Sequence, residues 1–324
     1  MRRVFGWLAD AAGCGYYRVA LPLSNLDRRR FAPEASDKIE LDFWNRYDTV
    51  VAQRTSKPMT SRTWREIAAS PNTRAVYELD DDFWSIPSES PAKKFFAPET
   101  LALIEANIAA ADVVTVSTEP LADRVRAWNP NVVVIPNYVD ARLLSLPRPE
   151  QAEDRVTIGW GGSPTHSIDW KVAEREIVRV VNSENARLAF VGSGFPAGMP
   201  RDKLAWLPWQ PEINVYYEHL AWTFDIGVAP LAHHEFNRSK SAIKVLEYMA
   251  LGLPSVASDE APYAGLIRHG ETGFLVKRDH EWGVYLRKLI KDRDLRVAMG
   301  EAARRQAADW TIQGNVGRWA AVLG

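Results

Sequence analysis

Short apolar, β-rich runs alternate with helical periodicities along the chain, a pattern that predicts parallel sheets built from βαβ units. In the first half, strands are expected at residues 3–8, 47–52, 74–78, 113–117 and 132–135, and helices at 17–26, 61–69, 100–111 and 119–128. Thr118 is suited to cap the last of these helices, with Glu119 and Pro120 fitting a first turn. A stretch with two prolines and mixed charge, 144–154, reads as a linker. The alternation then restarts, with strands expected at 156–159, 188–192, 204–207, 226–229, 255–257 and 273–276. Helices close the chain at 281–308, broken near Arg293, and at 311–323. The expected fold class is α/β: two doubly wound, Rossmann-like domains facing a central cleft. Ligands of such sheets bind beyond the carboxyl ends of strands, so the loops that follow strands are the places to look for chemistry.

The segment 237–258 reads as a helix stopped at Gly252 and Pro254, followed by a short buried strand. At about 100° per residue, Ala242, Val245, Leu246, Met249 and Ala250 form one apolar face. Lys240, Lys244 and Glu247 fall together on the opposite face, within roughly 60° of one another. The helix dipole disfavours cations in the first turns by about 0.3–1 kcal/mol each. Lysines placed there against it, beside free backbone N–H groups, suit a multiply charged anion such as a diphosphate. Glu247, about two turns further in, suits hydrogen bonds from neutral hydroxyls. The face therefore describes a nucleotide-sugar cradle. It is also what a solvated face looks like, with a Lys244–Glu247 pair worth about 0.2–0.5 kcal/mol.

Composition narrows the classes. A chain of 324 residues is long for one core and makes two domains the prior. Hydrophobic content of 46% and charged content of 25% are ordinary for a soluble globular protein. A formal net charge of -1 supports neither a nucleic-acid surface nor a polybasic membrane patch. The single cysteine, Cys14, excludes an internal disulfide and a multi-cysteine metal site, and fits a reducing compartment. The basic, then apolar start is cut short by Asp10 and the Gly13–Gly15 turn, so it reads as a buried strand entering a glycine loop, not as a signal peptide. No apolar stretch approaches the roughly 20 residues that span a bilayer, so no transmembrane segment is expected. The expected location is cytoplasmic, with any membrane contact peripheral.

Three loops carry candidate chemistry. Gly13, Gly15 and Arg18 follow the first strand, where glycines permit close backbone approach and Arg18 is placed to meet an anion or to decorate a tight turn. Gly161, Gly162 and Ser163 follow the first strand of the second half, and consecutive glycines there suit a backbone cradle for phosphate or a bare strand-to-helix turn. Asp80, Asp81 and Asp82 follow the third strand expected in the first half; adjacent carboxylates repel unless protons, a metal or a cationic partner relieve them. Metal binding, general-base work on an acceptor hydroxyl and helix capping are the three roles open to them. His233 and His234 are neighbours whose side chains point apart, a poor chelating pair.

The second half resembles the nucleotide-sugar domain of GT-B glycosyltransferases, most closely those of family 4. Four segments in order carry the resemblance: 158–164, 224–231, 240–254 and 269–276; residues 116–118 and 136–140 are similar to the end of that family's first domain. The resemblance implies a nucleoside-diphosphate sugar, UDP- or GDP-linked, as co-substrate. It implies that Glu247 binds the ribose hydroxyls, and that Lys240, Ser241 and the Gly161–Ser163 amides hold the diphosphate, with Lys240 and Lys244 replacing the charge of the family's arginine and lysine. Trp209 falls where the family places the base. It also implies domains at 1–148 and 149–310, with a terminal helix, 311–324, crossing back to the first domain. GT-B enzymes generally need neither a metal nor a cofactor, and the family favours retention at the anomeric carbon. Two features depart from the pattern. Ser239 stands where the family has a sugar-contacting glutamate, and Trp160 and His166 stand near its usual arginine and lysine.

The expected activity is transfer of a sugar, of the hexosyl class or related, from a nucleotide sugar to an acceptor hydroxyl, with Asp81 and Asp82 the candidates on the acceptor side. The acceptor is left open among glycan, lipid, protein, nucleic acid and small molecule. A non-catalytic nucleotide-sugar-binding protein and a nucleotide-sugar epimerase are the alternatives on the same frame.

Overall fold

The strands assemble into two six-stranded sheets, every recorded pairing in them parallel. The computed structural model describes residues 1–40, 42–148, 155–162, 167–192 and 199–324. These fall into two compact units: Met1–Tyr138 with Ser239–Ser241 and Ile312–Gly324, and Val139–Arg238 with Ala242–Thr311.

The first sheet contains β1 (Arg2–Trp7), β2 (Phe31–Ser36), β3 (Thr49–Gln53), β4 (Arg74–Leu79), β5 (Val113–Val116) and β6 (Val132–Val134), in the spatial order β2-β1-β3-β4-β5-β6. Strand β2 escapes the sequence pattern. Its run Phe-Ala-Pro-Glu-Ala-Ser is polar and holds Pro33, which has no N–H to give a ladder; an edge position beside β1 tolerates it. The central strands carry apolar middles, Val50–Ala52 in β3 and Ala75–Tyr77 in β4, as strands of a parallel sheet covered on both faces do, with Gln53 and Glu78 buried at their carboxyl ends. Trp64, on the helix Pro58–Ala68, is fully buried and donates its indole N–H to the carbonyl of Asn107 on the helix Pro98–Ala110, 2.9 Å away. The terminal helix Gly317–Leu323 belongs to this unit: Thr49 donates to the Leu323 carbonyl at 3.1 Å, and Trp319 is buried.

The second sheet contains β7 (Val156–Gly162), β8 (Ala186–Gly192), β9 (Leu204–Leu207), β10 (Ile226–Ala229), β11 (Ser255–Ser258) and β12 (Gly273–Val276), in the order β12-β11-β10-β7-β8-β9. Ile158, Leu188, Phe190, Val228 and Val256 of its strands pack with Trp170, Ile177, Trp282 and Leu286 of its helices into one core. Burying each such side chain stabilises the fold by about 1.5–3 kcal/mol. The expected break near Arg293 is present: Asp292 ends one helix and accepts the Leu295 N–H at 2.9 Å to start the next. The division between the units falls at Tyr138, earlier than a boundary at 148. The physical reason is Arg148, whose guanidinium donates to the carbonyls of Ala221, Gly252 and Phe224 at 3.4, 3.2 and 2.8 Å and ties its segment to the second unit. No helix among the described residues is long and apolar enough to cross a membrane.

Candidate functional site

Three elements of the second unit supply one cluster of side chains: the end of β7, the helix Ile213–Thr223 and the helix Ile243–Ala250. The last begins at Ile243, so Lys244 sits in its first turn while Lys240 precedes it. Of the two readings of this face, the solvated one does not hold at Glu247. Every residue from Val245 to Ala250 is buried, Glu247 included at 4% exposure.

A buried carboxylate is costly unless hydrogen bonds compensate it. Tyr216 supplies one, donating its phenolic hydrogen to Glu247 Oε2 over 3.2 Å. Burial, and then the Glu247 charge, push the Tyr216 phenol well above its ordinary pKa, so it stays a donor at neutral pH. The Tyr216 ring lies 5.7 Å from that of Trp209 at an interplanar angle of 47°. Trp209, 42% exposed, offers a flat aromatic face to solvent. Beside Glu247, Tyr248 accepts the Gly161 N–H at 3.1 Å. Lys244 donates its ammonium to the Gly161 carbonyl and lies 4.9 Å from the centre of the Trp160 ring.

This packing explains the glycines at the end of β7. A Cβ at position 161 would stand 2.8 Å from the Tyr216 oxygen, and one at 162 would stand 2.8 Å from the Trp160 ring and 3.1 Å from Lys244 Nζ. The reading of the Gly161 amide as a phosphate donor needs correction, because that N–H is already given to Tyr248. Gly162 is buried at the strand end, while Ser163 and His166 lie outside the described residues.

Lys240 and Ser241 belong to the first unit. Lys240 Nζ is 3.4 Å from Asp81 Oδ1, and the Ser241 hydroxyl accepts from Asn137 Nδ2 at 2.8 Å. Thr118 occupies the expected capping position, yet its hydroxyl donates instead to the carbonyl of Ser239 at 2.8 Å. The three carboxylates after β4 are relieved by three cations from different elements. Asp80 faces Arg54 at 3.6 Å, Asp81 faces Lys240, and Asp82 is held by Arg124 at 2.9 Å. At 3% exposure Asp82 is a packed ion-pair partner, which corrects its assignment to acceptor activation; Asp81 is the more open of that pair.

Arg18 also needs correction. The chain after Gly15 winds through a wide π-helical turn, Tyr16–Ala20, that directs Arg18 inward. There it donates to Glu78 at 2.6 Å, to the Ile135 carbonyl at 2.5 Å and to Asn137 at 2.9 Å, and sits 5.4 Å from the Trp319 ring centre. It serves as an internal strut, not an anion ligand. Gly15 is needed for the turn itself: its N–H and that of Ala12 are taken by Asp10 Oδ1, and a Cβ would collide with the Asp10 carbonyl. Nothing crowds Gly13.

Arg54, in the left-handed region with φ of 37°, joins Asp10 and Asp80 and so links the loops after β1, β3 and β4. Burial pushes the Glu78 carboxyl up to about 7 against the opposing pull of Arg18. Glu78 Oε2, Asp80 Oδ1, Asp82 Oδ1 and Gln53 Nε2 are buried without protein partners, positions where ordered water or a polar ligand belongs.

Residues 200–306 match the family described as Glycosyl transferases group 1. The architecture is shared with solved structures of low sequence identity. Anabaena Alr3699/HepE, crystallised with UDP-glucose, superposes with a TM-score of 0.72 at 12% identity, covering 99% of this chain and 100% of that one. Sucrose-phosphate synthase from Thermosynechococcus elongatus gives 0.64 at 14% identity, covering 99% and 96%. TarM of S. aureus, in complex with UDP, gives 0.62 at 15% identity, covering 85% of this chain and 55% of that one. This chain therefore spans about half the length of TarM. No curated protein sequence matches it. The fold is GT-B.

Within this GT-B fold the second unit gathers Gly161, Gly162, Trp209, Lys244 and Glu247, while Lys240, Ser241 and the aspartates are held in the first unit. Sequence reasoning missed Tyr216, Tyr248, Arg54 and Arg124. Both tyrosines sit in runs that read as helix core, and the arginines carry no motif; only their partners in space reveal them.

Proposed function

We propose that this protein is a glycosyltransferase that moves a sugar from a nucleoside-diphosphate sugar to an acceptor hydroxyl. One observation carries the reading. An exposed indole, a buried tyrosine-bound carboxylate and a lysine at a strand terminus stand in one cluster, an order that suits base, ribose and diphosphate. Trp209 offers its face to the base, Glu247 accepts from ribose hydroxyls, and Lys244 supplies positive charge to the diphosphate. In the reaction the bond between the sugar's anomeric carbon and the β-phosphate oxygen breaks. The acceptor oxygen bonds to that carbon and its proton passes to a carboxylate acting as general base. Charge grows on the leaving diphosphate, where Lys244 is the cation assigned to neutralise it. Asp81 is the carboxylate assigned to the acceptor side. The donor is UDP- or GDP-linked, the transfer is of the retaining, metal-independent hexosyl type typical of family 4, and the setting is cytoplasmic or peripheral to a membrane.

Ser239, in the place of the family's sugar-contacting glutamate, favours a second reading: a non-catalytic nucleotide-sugar-binding protein. A thermal-shift panel of UDP, GDP, ADP and TDP sugars, with and without divalent metal, tests the first part. A donor at 100-fold over Kd adds about 2.7 kcal/mol of stability. No shift with any nucleotide would overturn the reading. Release of free nucleoside diphosphate from the best donor separates the enzyme from the mere binder.

A further inference from the structure

Tyr216, which no motif marks, touches three members of the cluster. Its hydroxyl donates to Glu247 Oε2 at 3.2 Å, its ring faces Trp209 at 5.7 Å, and its oxygen occupies the space that a side chain at Gly161 would need. Glutamate has three side-chain torsions and, left alone, no reason to hold its carboxylate in one plane. The Tyr216 phenol, reaching from the helix Ile213–Thr223 to the helix Ile243–Ala250, constrains that plane, and both residues are buried. The same ring lies beside the exposed indole, so base platform and carboxylate share one supporting residue.

We propose that Tyr216 is a positioning and specificity-determining residue, orienting Glu247 so that nucleotides with a ribose are favoured over those lacking its hydroxyls. The proposal rests on the nucleotide-sugar reading and deepens it. A carboxylate selects a diol only when its oxygens face both hydroxyls together; a free rotor grips either one alone and discriminates little. A tyrosine placed merely to fill the core would, when altered, change stability without changing discrimination.

The experiment uses the full chain and its Tyr216→Phe variant, which keeps the ring and removes the donor. Calorimetry measures affinity for UDP and GDP and for their 2′,3′-dideoxy analogues. In the wild type the ribonucleotide binds at least about 10-fold tighter than its analogue, the scale of a hydrogen bond to a charged group. In Tyr216→Phe that ratio falls to about 3-fold or less, while affinity for the dideoxy compound is kept. An unchanged ratio in the variant overturns the proposal and leaves the nucleotide reading standing. A wild type that binds neither UDP nor GDP overturns both. Circular dichroism verifies folding, and if Tyr216→Phe does not fold, Tyr216→Met, of similar length and without a donor, is measured in the same way.

Discussion

The ammonium of Lys244 lies 4.9 Å from the centre of the Trp160 ring and is hydrogen bonded to the carbonyl of Gly161. A cation held between an aromatic face and a carbonyl at a strand's carboxyl end is oriented before any anion arrives. Lys244→Met keeps the aliphatic stem and removes the charge. Its affinity for the preferred nucleoside diphosphate is expected to fall about 10-fold or more, while affinity for the parent nucleoside is unchanged. Equal loss for both ligands would show that Lys244 supports the site's shape and does not contact the diphosphate.

Asp81 and Asp82 are neighbours with different fates. Asp82 is buried and held by Arg124, so Asp82→Asn is expected to lower stability by about 1–3 kcal/mol in urea unfolding. Asp81 pairs with Lys240 nearer to solvent, and Asp81→Asn is expected to change stability by less than about 1 kcal/mol. If Asp81 serves the acceptor, its substitution reduces turnover while donor binding survives. Full turnover in Asp81→Asn would remove it from the reaction.

Glu78 makes stability depend on pH in a defined window. Its folded carboxyl titrates near 7 instead of 4.5, chiefly because it is buried. Between those values the folded chain holds a proton that the unfolded chain has released, so its contribution to stability falls as pH rises through the window and is level above it. The difference in unfolding free energy between wild type and Glu78→Gln, followed from pH 4.5 to 7, is expected to shrink or reverse in that sense by up to a few kcal/mol. A difference that stays constant with pH would mean that Glu78 is ionised throughout, locked by Arg18.

Gly161 and Tyr216 are coupled by contact. Gly161→Ala sets a methyl group against the Tyr216 hydroxyl, a clash expected to cost about 1–3 kcal/mol. Tyr216→Phe in the same chain removes the oxygen and recovers part of that loss, giving a coupling of about 0.5–3 kcal/mol in a double-mutant cycle. Strict additivity would place the strain elsewhere, at Leu220.

Most strands and helices were legible from alternation alone, because a strand buried on both faces is mostly apolar and its covering helices are periodic. β2 was not, since an edge strand may hold Pro33 and polar residues and still pair on one side. Glu247, Lys244 and Trp209 were singled out by residue type and position, and the structure places them in one cluster. Arg18 and Asp82 misled for a common reason: a charged residue in a loop looks solvated until its partner is seen. Arg18 meets Glu78 across 60 positions of chain, and Asp82 meets Arg124 across 42.

The sequence by itself determined the two parallel sheets and the residue types at their carboxyl ends, because those follow from local periodicity and chain order. The tertiary structure alone decided which of those residues meet. Tyr216 and Glu247, 31 positions apart on different helices, become one hydrogen-bonded pair only when both helices pack in the second unit, and no local pattern in either encodes that meeting.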